Sequence, residues 1–61
     1  MLKKITKEID IVRILSAVNG YVVWVEGRDS EGDYHEERVL CLDHNDIVKL
    51  IAEVDSVYAN S

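Results

Sequence analysis

Two runs of β-branched and aromatic residues on either side of a short polar turn constrain this chain more than any other feature. The runs lie at about 21–28 and 34–42, and the residues between them read Asp29-Ser-Glu-Gly-Asp33. This pattern predicts an antiparallel hairpin. Gly32 suits the left-handed position that closes a three-residue loop, because glycine has no Cβ to clash there.

The loop length also determines which residues of the hairpin lie opposite one another. The predicted register places Glu26 opposite Glu36 and Trp24 opposite Arg38. Because side chains along a strand point alternately to the two faces, each face can be predicted. One face is apolar and suits a covering helix: Tyr21, Val23, Val25, Val39 and Cys41. The other is apolar only near the base of the hairpin: Val22, Trp24, Leu40 and Leu42.

A C-terminal helix over about 44–58 is the clearest single element. After Asp43, apolar residues recur three and four positions apart, which marks one face of a helix. Asp43 suits the N-cap and Asp46 the first turn, where carboxylates favour the positive end of the helix dipole. We expect this helix to cover one face of the hairpin. The second face would be covered by the N-terminal segment or by a second subunit.

The N-terminal residues give two conflicting signals. Apolar residues recur at helical spacing and end before Asn19-Gly20, a pair typical of a helix C-terminus: Ile9, Val12, Leu15 and Val18. The same segment is rich in β-branched residues, which favour a strand. We predict a helix over about 9–18 and a short strand near 2–6. The whole chain would be one small α+β domain, residues 1–61.

Composition narrows the functional classes. The net charge is −5: residues 1–25 carry four basic residues against two acids, and residues 26–61 carry three against ten. The acidic part would repel nucleic acid and attract a basic protein surface. A single cysteine, Cys41, excludes an intrachain disulfide and suits a reducing, cytoplasmic setting. We expect no signal peptide and no membrane contact, since the longest apolar run, 21–25, is too short to span a bilayer.

Catalytic and metal-binding patterns are poorly represented. Cys41 alternates with Val39 on the face that we expect to be covered, so a buried apolar role is favoured over a nucleophile. His44 is interpreted as an exposed residue of the first helical turn and not as a zinc ligand. The turn that starts at Asp29 fails as a calcium loop, because its glycine falls at position 4 instead of 6. We expect no enzymatic activity, no metal and no cofactor.

The hairpin carries half of the chain's acids in thirteen residues. We interpret them as an acidic edge that binds a basic protein: Glu26, Asp29, Glu31, Asp33, Glu36 and Glu37. Arg28 and Arg38 lie among them as neutralising charges, and a merely solvated hairpin tip is the simpler alternative. An apolar patch rimmed by charge is typical of an interaction surface. Here it would be a partner site or a homodimer contact: Val22, Trp24, Leu40 and Leu42.

The acidic hairpin, 22–39, followed by an amphipathic helix from Asp43, resembles the small acidic inhibitor proteins of phages over residues 20–58. In general plan the chain is most similar to the protein inhibitors of uracil-DNA glycosylase, and small inhibitors of CRISPR nucleases share this plan. The resemblance implies DNA mimicry by carboxylates and, in some members, a dimer. It also implies an acidic edge, formed by Glu26, Asp29, Glu31, Glu36 and Glu37. A pocket for an apolar side chain of the target would be formed by Val22, Trp24 and Leu40.

Two functional hypotheses follow. The first is a non-enzymatic inhibitor, forming a homodimer, that occupies a basic, nucleic-acid-binding groove of a host protein through its acidic hairpin. The second is a small structural or accessory protein that only associates with itself and mimics no nucleic acid.

Overall fold

A computed structural model of the chain describes residues 1–59. Three strands are followed by one helix: β1 (Glu8–Ala17), β2 (Gly20–Arg28), β3 (Tyr34–Cys41) and α1 (His44–Ala59). The strands form an antiparallel sheet in the order β1-β2-β3, and α1 packs on one face of it. The predicted α+β class is confirmed, as are the hairpin and the C-terminal helix.

The register predicted for the β2–β3 hairpin is also confirmed. Glu26 lies opposite Glu36 and Trp24 lies opposite Arg38. The turn is closed by a hydrogen bond from Gly32 N to the carbonyl oxygen of Asp29, at 3.1 Å. Gly32 has a φ of 88°, which is the left-handed conformation expected from its place in the loop.

The predicted helix over 9–18 is wrong, because these residues belong to β1 and to the turn after it. The ladder with β2 shifts between Ile9 and Ile11, so that Asp10 is the extra residue of a β-bulge. Past the bulge the alternation changes phase, and Ile9 and Val12 both pack on the core although they are three residues apart. The bulge therefore accounts for the helical spacing of Ile9 and Val12, whereas Leu15 lies opposite Val22 on the other face of the sheet and Val18 lies in the turn.

The pair Asn19-Gly20 belongs to a hairpin turn and not to a helix C-terminus. Ala17 pairs with Gly20 across a two-residue connection, in which Val18 is fully exposed. Gly20 has a φ of 146°, and a Cβ at this position would collide with the carbonyl oxygen of Cys41. Glycine is therefore required here by the approach of β3 and by the backbone conformation.

The short strand predicted near 2–6 is also wrong, since residues 1–7 form no strand. The segment nevertheless packs tightly: Ile5 is 2% exposed and Leu2 contacts the core. The carboxylates of Glu37 and Glu53 accept hydrogen bonds from the terminal ammonium of Met1 and from the backbone N–H groups of residues 2–5. Two glutamate side chains thus accept the hydrogen bonds that a backbone ladder would accept if residues 2–6 were a strand.

The core lies between α1, the N-terminal segment and one face of the sheet, which we call the inner face. Its fully buried or nearly buried side chains are Ile5, Ile9, Val23, Val25, Cys41, Leu50 and Val54. The helix begins where predicted, because the Asp43 carboxylate accepts a hydrogen bond from Asp46 N at 3.1 Å. Asp46 in turn accepts one from Leu42 N at 3.0 Å, so the two carboxylates secure the entry into α1.

Candidate functional site

The second face of the sheet, which we call the outer face, is covered by no other part of residues 1–59. It is built from rows of three side chains, one from each strand, because opposed residues of an antiparallel sheet point the same way. From the base of the β2–β3 hairpin toward its tip, the rows are Leu15–Val22–Leu40, Arg13–Trp24–Arg38, Ile11–Glu26–Glu36 and Glu8–Arg28–Tyr34. The outer face is thus apolar at its base, centred on the tryptophan, and rich in carboxylates toward the tip, where Arg28 is paired with Glu8.

Trp24 lies between two arginines of the neighbouring strands and is stacked against one of them. The guanidinium carbon of Arg38 lies 4.3 Å from the centroid of the indole ring, which is a cation–π contact. Arg13 lies on the other side, opposite Trp24 in the β1–β2 ladder. The indole Nε1 is covered but makes no hydrogen bond with residues 1–59. Trp24 is therefore fixed by stacking and packing and not by its own polar atom.

Three of the four residues predicted as an apolar patch, Val22, Trp24 and Leu40, lie on the outer face, and Leu42 directly follows β3 in the connection to α1. Leu40 is 61% exposed and Leu42 is 66% exposed, whereas Val22 and Trp24 are half-buried between the flanking strands. Sequence reasoning missed a fifth member, Leu15, which is 49% exposed beside Val22. It was missed because its segment was predicted to be helical.

The predicted acidic edge is divided among several surfaces. Glu26 and Glu36 lie opposite each other on the outer face, as expected from the register. The Tyr34 hydroxyl donates a hydrogen bond to Glu26 at 2.8 Å. This bond, with desolvation and the nearby carboxylates of Asp10 and Glu36, raises the pKa of Tyr34. Tyr34 therefore remains a neutral donor and reduces the repulsion between the two glutamates.

Glu37 does not belong to an exposed edge, because it is placed on the inner face opposite Val25. Its two carboxylate oxygens accept three backbone hydrogen bonds, from Lys3, Lys4 and Ile5, at 2.8–3.0 Å. Desolvation alone would raise the pKa of Glu37, but these three donors outweigh it and the pKa is lowered. Glu37 is thus a structural anchor for the N-terminal segment.

Asp29 is likewise engaged within the fold. One carboxylate oxygen accepts hydrogen bonds from the backbone N–H groups of Glu31 and Asp33, and the other contacts His35 Nε2 at 2.7 Å. The hydrogen bond with His35, followed by the two backbone donors, lowers the pKa of Asp29 against the opposing effect of desolvation. The role of Asp29 is to shape the turn.

Three of the six predicted acids remain free: Glu31, Asp33 and Glu36 make no side-chain hydrogen bond or ion pair within residues 1–59. The two arginines predicted to neutralise the acids of the hairpin do not contact these three carboxylates. Arg28 contacts Glu8 at 3.6 Å and donates to the carbonyl of Gly32, while Arg38 stacks on the tryptophan. The tip and the upper outer face therefore keep an unpaired negative charge.

Other candidate chemistry in the described residues is sparse. Cys41 is fully buried, as predicted, and burial together with Asp46 and Asp43 raises the pKa of its thiol. No group of His, Cys, Asp and Glu in residues 1–59 has the arrangement of a metal site. A surface hollow of about 240 Å³ brings Ser56 and Glu53 together, without a histidine or cysteine in its lining.

Comparisons with known proteins add no assignment. No protein-family model matches the chain, and no curated protein or solved structure is significantly similar to it. Among residues 1–59, no helix combines the length and apolar character that a membrane-spanning segment needs.

Proposed function

We propose that this chain is a non-enzymatic protein-binding module whose outer face docks onto a basic surface of another protein. The observation that carries the proposal is the open outer face itself. The outer face places leucines that are about half exposed or more next to a tryptophan of fixed position and to carboxylates without a counterion within residues 1–59. Interaction surfaces commonly combine an aromatic anchor, an apolar centre and a charged rim in this way.

The charge of the outer face and of the adjoining tip supports a basic partner. Glu31, Asp33 and Glu36 have no internal counterion, whereas the three arginines nearby are occupied or lie toward the apolar end. Unpaired carboxylates at a rim attract a cationic surface and accelerate association at low salt.

The finer hypothesis, a phage-type inhibitor that mimics DNA, has weaker support. A phosphate mimic needs a row of available anions, and two of the predicted six, Asp29 and Glu37, are engaged in hydrogen bonds that shape the fold. Four remain for a partner, with Glu26 shared with Tyr34. A basic protein groove is therefore proposed as the target class, and a nucleic-acid-binding groove is its narrower form.

The proposal is tested by charge reversal at the free acids. Partners captured at low salt by the wild-type chain from a bacterial lysate are purified, and their affinities are measured for the wild type and for Glu31→Lys/Glu36→Lys. We expect this variant to bind at least about tenfold more weakly and with a reduced salt dependence, because two attractive charges have become repulsive.

The control is Asp55→Lys, which makes one such charge reversal at an exposed position of α1. It should retain most of the affinity, since α1 lies on the other side of the sheet. Equal binding by the double variant and the wild type, or the absence of any captured partner, would count against the proposal. Glu37 is unsuitable for this test because its reversal would release the N-terminal segment.

A further inference from the structure

The two edges of the sheet differ in the protection that they have against pairing. The edge formed by β3 carries Tyr34-His-Glu-Glu-Arg38, and charged side chains of this kind discourage the addition of another strand. The edge formed by β1 begins with Glu8, Asp10 and the bulge, which protect its first residues, but it contains neither proline nor lysine. Within residues 11–17 Arg13 is its one charged side chain. A long, apolar and unprotected edge is a site for strand pairing.

Side chains on both faces of β1 show the same lack of cover. Ile14 lies opposite Val23 on the inner face, and Leu15 lies opposite Val22 on the outer face, yet each is 49% exposed. Residues 11–17 make no hydrogen bond beyond their ladder with β2 in the part of the chain that the structure describes. A strand placed beside β1 would cover both side chains and satisfy the outward backbone groups at once.

We infer that β1 is the contact between two copies of this chain, paired antiparallel about a two-fold axis to give a continuous six-stranded sheet. The alternative pairing, β1 of one copy with β3 of the next, is heterologous and would grow into an open filament. It would also bring the apolar β1 edge against the charged β3 edge. Pairing of β1 with itself closes after two copies and involves only the unprotected edge.

The two-fold symmetry selects the register. Opposed residues in an antiparallel pair share a face, so a symmetric register must place one residue opposite itself. Centring on Arg13 would oppose two guanidinium groups, which is destabilising. Centring on Val12 would run the pairing into the bulge at Asp10, where the ladder is irregular.

Centring on Ile14 avoids both problems. It pairs residues 11–17 of the two copies, clear of the bulge, with no like charges opposed. The two Ile14 side chains meet on the inner face, and Arg13 lies opposite Leu15 of the second copy, whose side chain its methylene stem can cover. A two-fold axis perpendicular to the sheet leaves both outer faces exposed on the same side. The inference therefore stands independently of the function proposed for that face.

The test is the mass of the particle in solution, measured by sedimentation equilibrium over a range of concentrations. The wild-type chain should approach twice its mass of 7.0 kDa. Ile14→Lys places two cations opposite each other at the axis and should raise the dissociation constant at least about tenfold. Val48→Lys is the matched control, because Val48 is an apolar residue, 66% exposed, on α1 and away from the edge.

A third variant, Leu40→Lys, distinguishes edge pairing from packing of two outer faces. Edge pairing leaves its dissociation constant near the wild-type value, whereas face-to-face packing would lose affinity here and not at Ile14. Hydrogen exchange of the wild-type chain gives an answer even if Ile14→Lys fails to fold. Amides of residues 11–17 should exchange more slowly as concentration rises, while those at the β3 edge should not. A monomer at every concentration, or protection confined to β3, overturns the inference.

Discussion

The two faces of the sheet are built from the same strands, but one is buried and the other is left uncovered by residues 1–59. On the inner face, Val23 and Val25 are fully buried beneath α1 and the N-terminal segment. On the outer face, their neighbours Val22 and Trp24 are only half-buried, and the row ends in exposed leucine. Both faces are apolar at the base, but the apolar residues of the inner face extend further along the hairpin, and the sequence predicted that this face is the covered one. The single helix can cover one face, and the other is left for a partner.

The same contrast applies to the charges. Glu36 and Glu37 are adjacent in sequence, but the first lies free on the outer face and the second accepts three hydrogen bonds on the inner face. One residue of displacement along a strand thus separates a candidate binding residue from a structural one. The comparison leads to four predictions, from the largest expected effect to the smallest.

Leucine-to-alanine substitutions should separate the two faces most strongly. Leu50 on α1 is fully buried against the inner face, so Leu50→Ala should cost about 2–5 kcal/mol of unfolding free energy through lost contacts and a residual cavity. Leu40→Ala on the outer face should change it by about 0.5 kcal/mol or less. Urea unfolding followed by circular dichroism measures both. Similar losses at the two sites would show that the outer face is covered in solution.

The second-largest difference in unfolding free energy is expected between substitutions of the adjacent residues Glu36 and Glu37. Glu37→Gln removes the charge that receives the three backbone N–H groups, and we expect a loss of about 1–3 kcal/mol. Glu36→Gln should be neutral or slightly stabilising, since it relieves the repulsion with Glu26 across the strand pair. The measurement is again urea unfolding, at neutral pH and low salt. A greater loss at Glu36 than at Glu37 would reverse the assignment of these residues to the two faces.

Acid should weaken the contacts that Glu37 makes on the inner face and those that Asp29 makes in the turn. The folded-state pKa values of Glu37 and Asp29 are lowered from their usual 4.5 and 3.8. Each carboxylate therefore stabilises the fold above its usual pKa, and that contribution is lost as the pH falls through the lower folded value. Unfolding free energies between pH 7 and pH 3 should fall at the acid end. The fall should be smaller in Glu37→Gln, and an unchanged slope in that variant would contradict the role given to this carboxylate.

The smallest effect is expected at the stacked arginine of the outer face. Arg38→Ala removes the cation–π contact and should cost about 0.5–1 kcal/mol while exposing one face of the indole ring. Its visible result would be a red shift in the fluorescence of Trp24, the single tryptophan. Arg13→Ala is the control, because Arg13 borders Trp24 in the ladder without such a ring contact in residues 1–59. A larger shift in the control would mean that Arg13 is the main cover of the ring.

Local sequence patterns were sufficient to predict the secondary structure of residues 21–58. The turn at Gly32, the register across it and the cap at Asp43 depend on residues within a few positions of one another, so the sequence predicts them. The helix predicted over 9–18 was wrong, and the bulge at Asp10 contributed by placing Ile9 and Val12 at helical spacing on one face of a strand. The β-branched residues of the segment favour a strand, but no short-range signal predicts the bulge, since it depends on pairing with β2.

The candidate site likewise contains some features that the sequence predicts and others that it does not. The pairing of Glu26 with Glu36 and the patch around Trp24 follow from alternation along two strands. The contribution of Arg13 and Leu15 does not, because it requires the third strand to lie beside β2. Alternation also does not predict that Asp29 and Glu37 are unavailable to a partner. Their carboxylates accept hydrogen bonds from the turn and from the N-terminal segment, and those contacts are known only from the tertiary structure.

The amino-acid sequence by itself thus determined the β2–β3 hairpin, its register, the helix after it and the acidic character of the tip. These features rest on local conformational preference and on the two-residue period of a strand. Only the tertiary structure decided what covers the rest of the core, which carboxylates remain free and which edge is unprotected. Each of those outcomes depends on which distant segments come together, and a chain with one helix can bury only one face of its sheet.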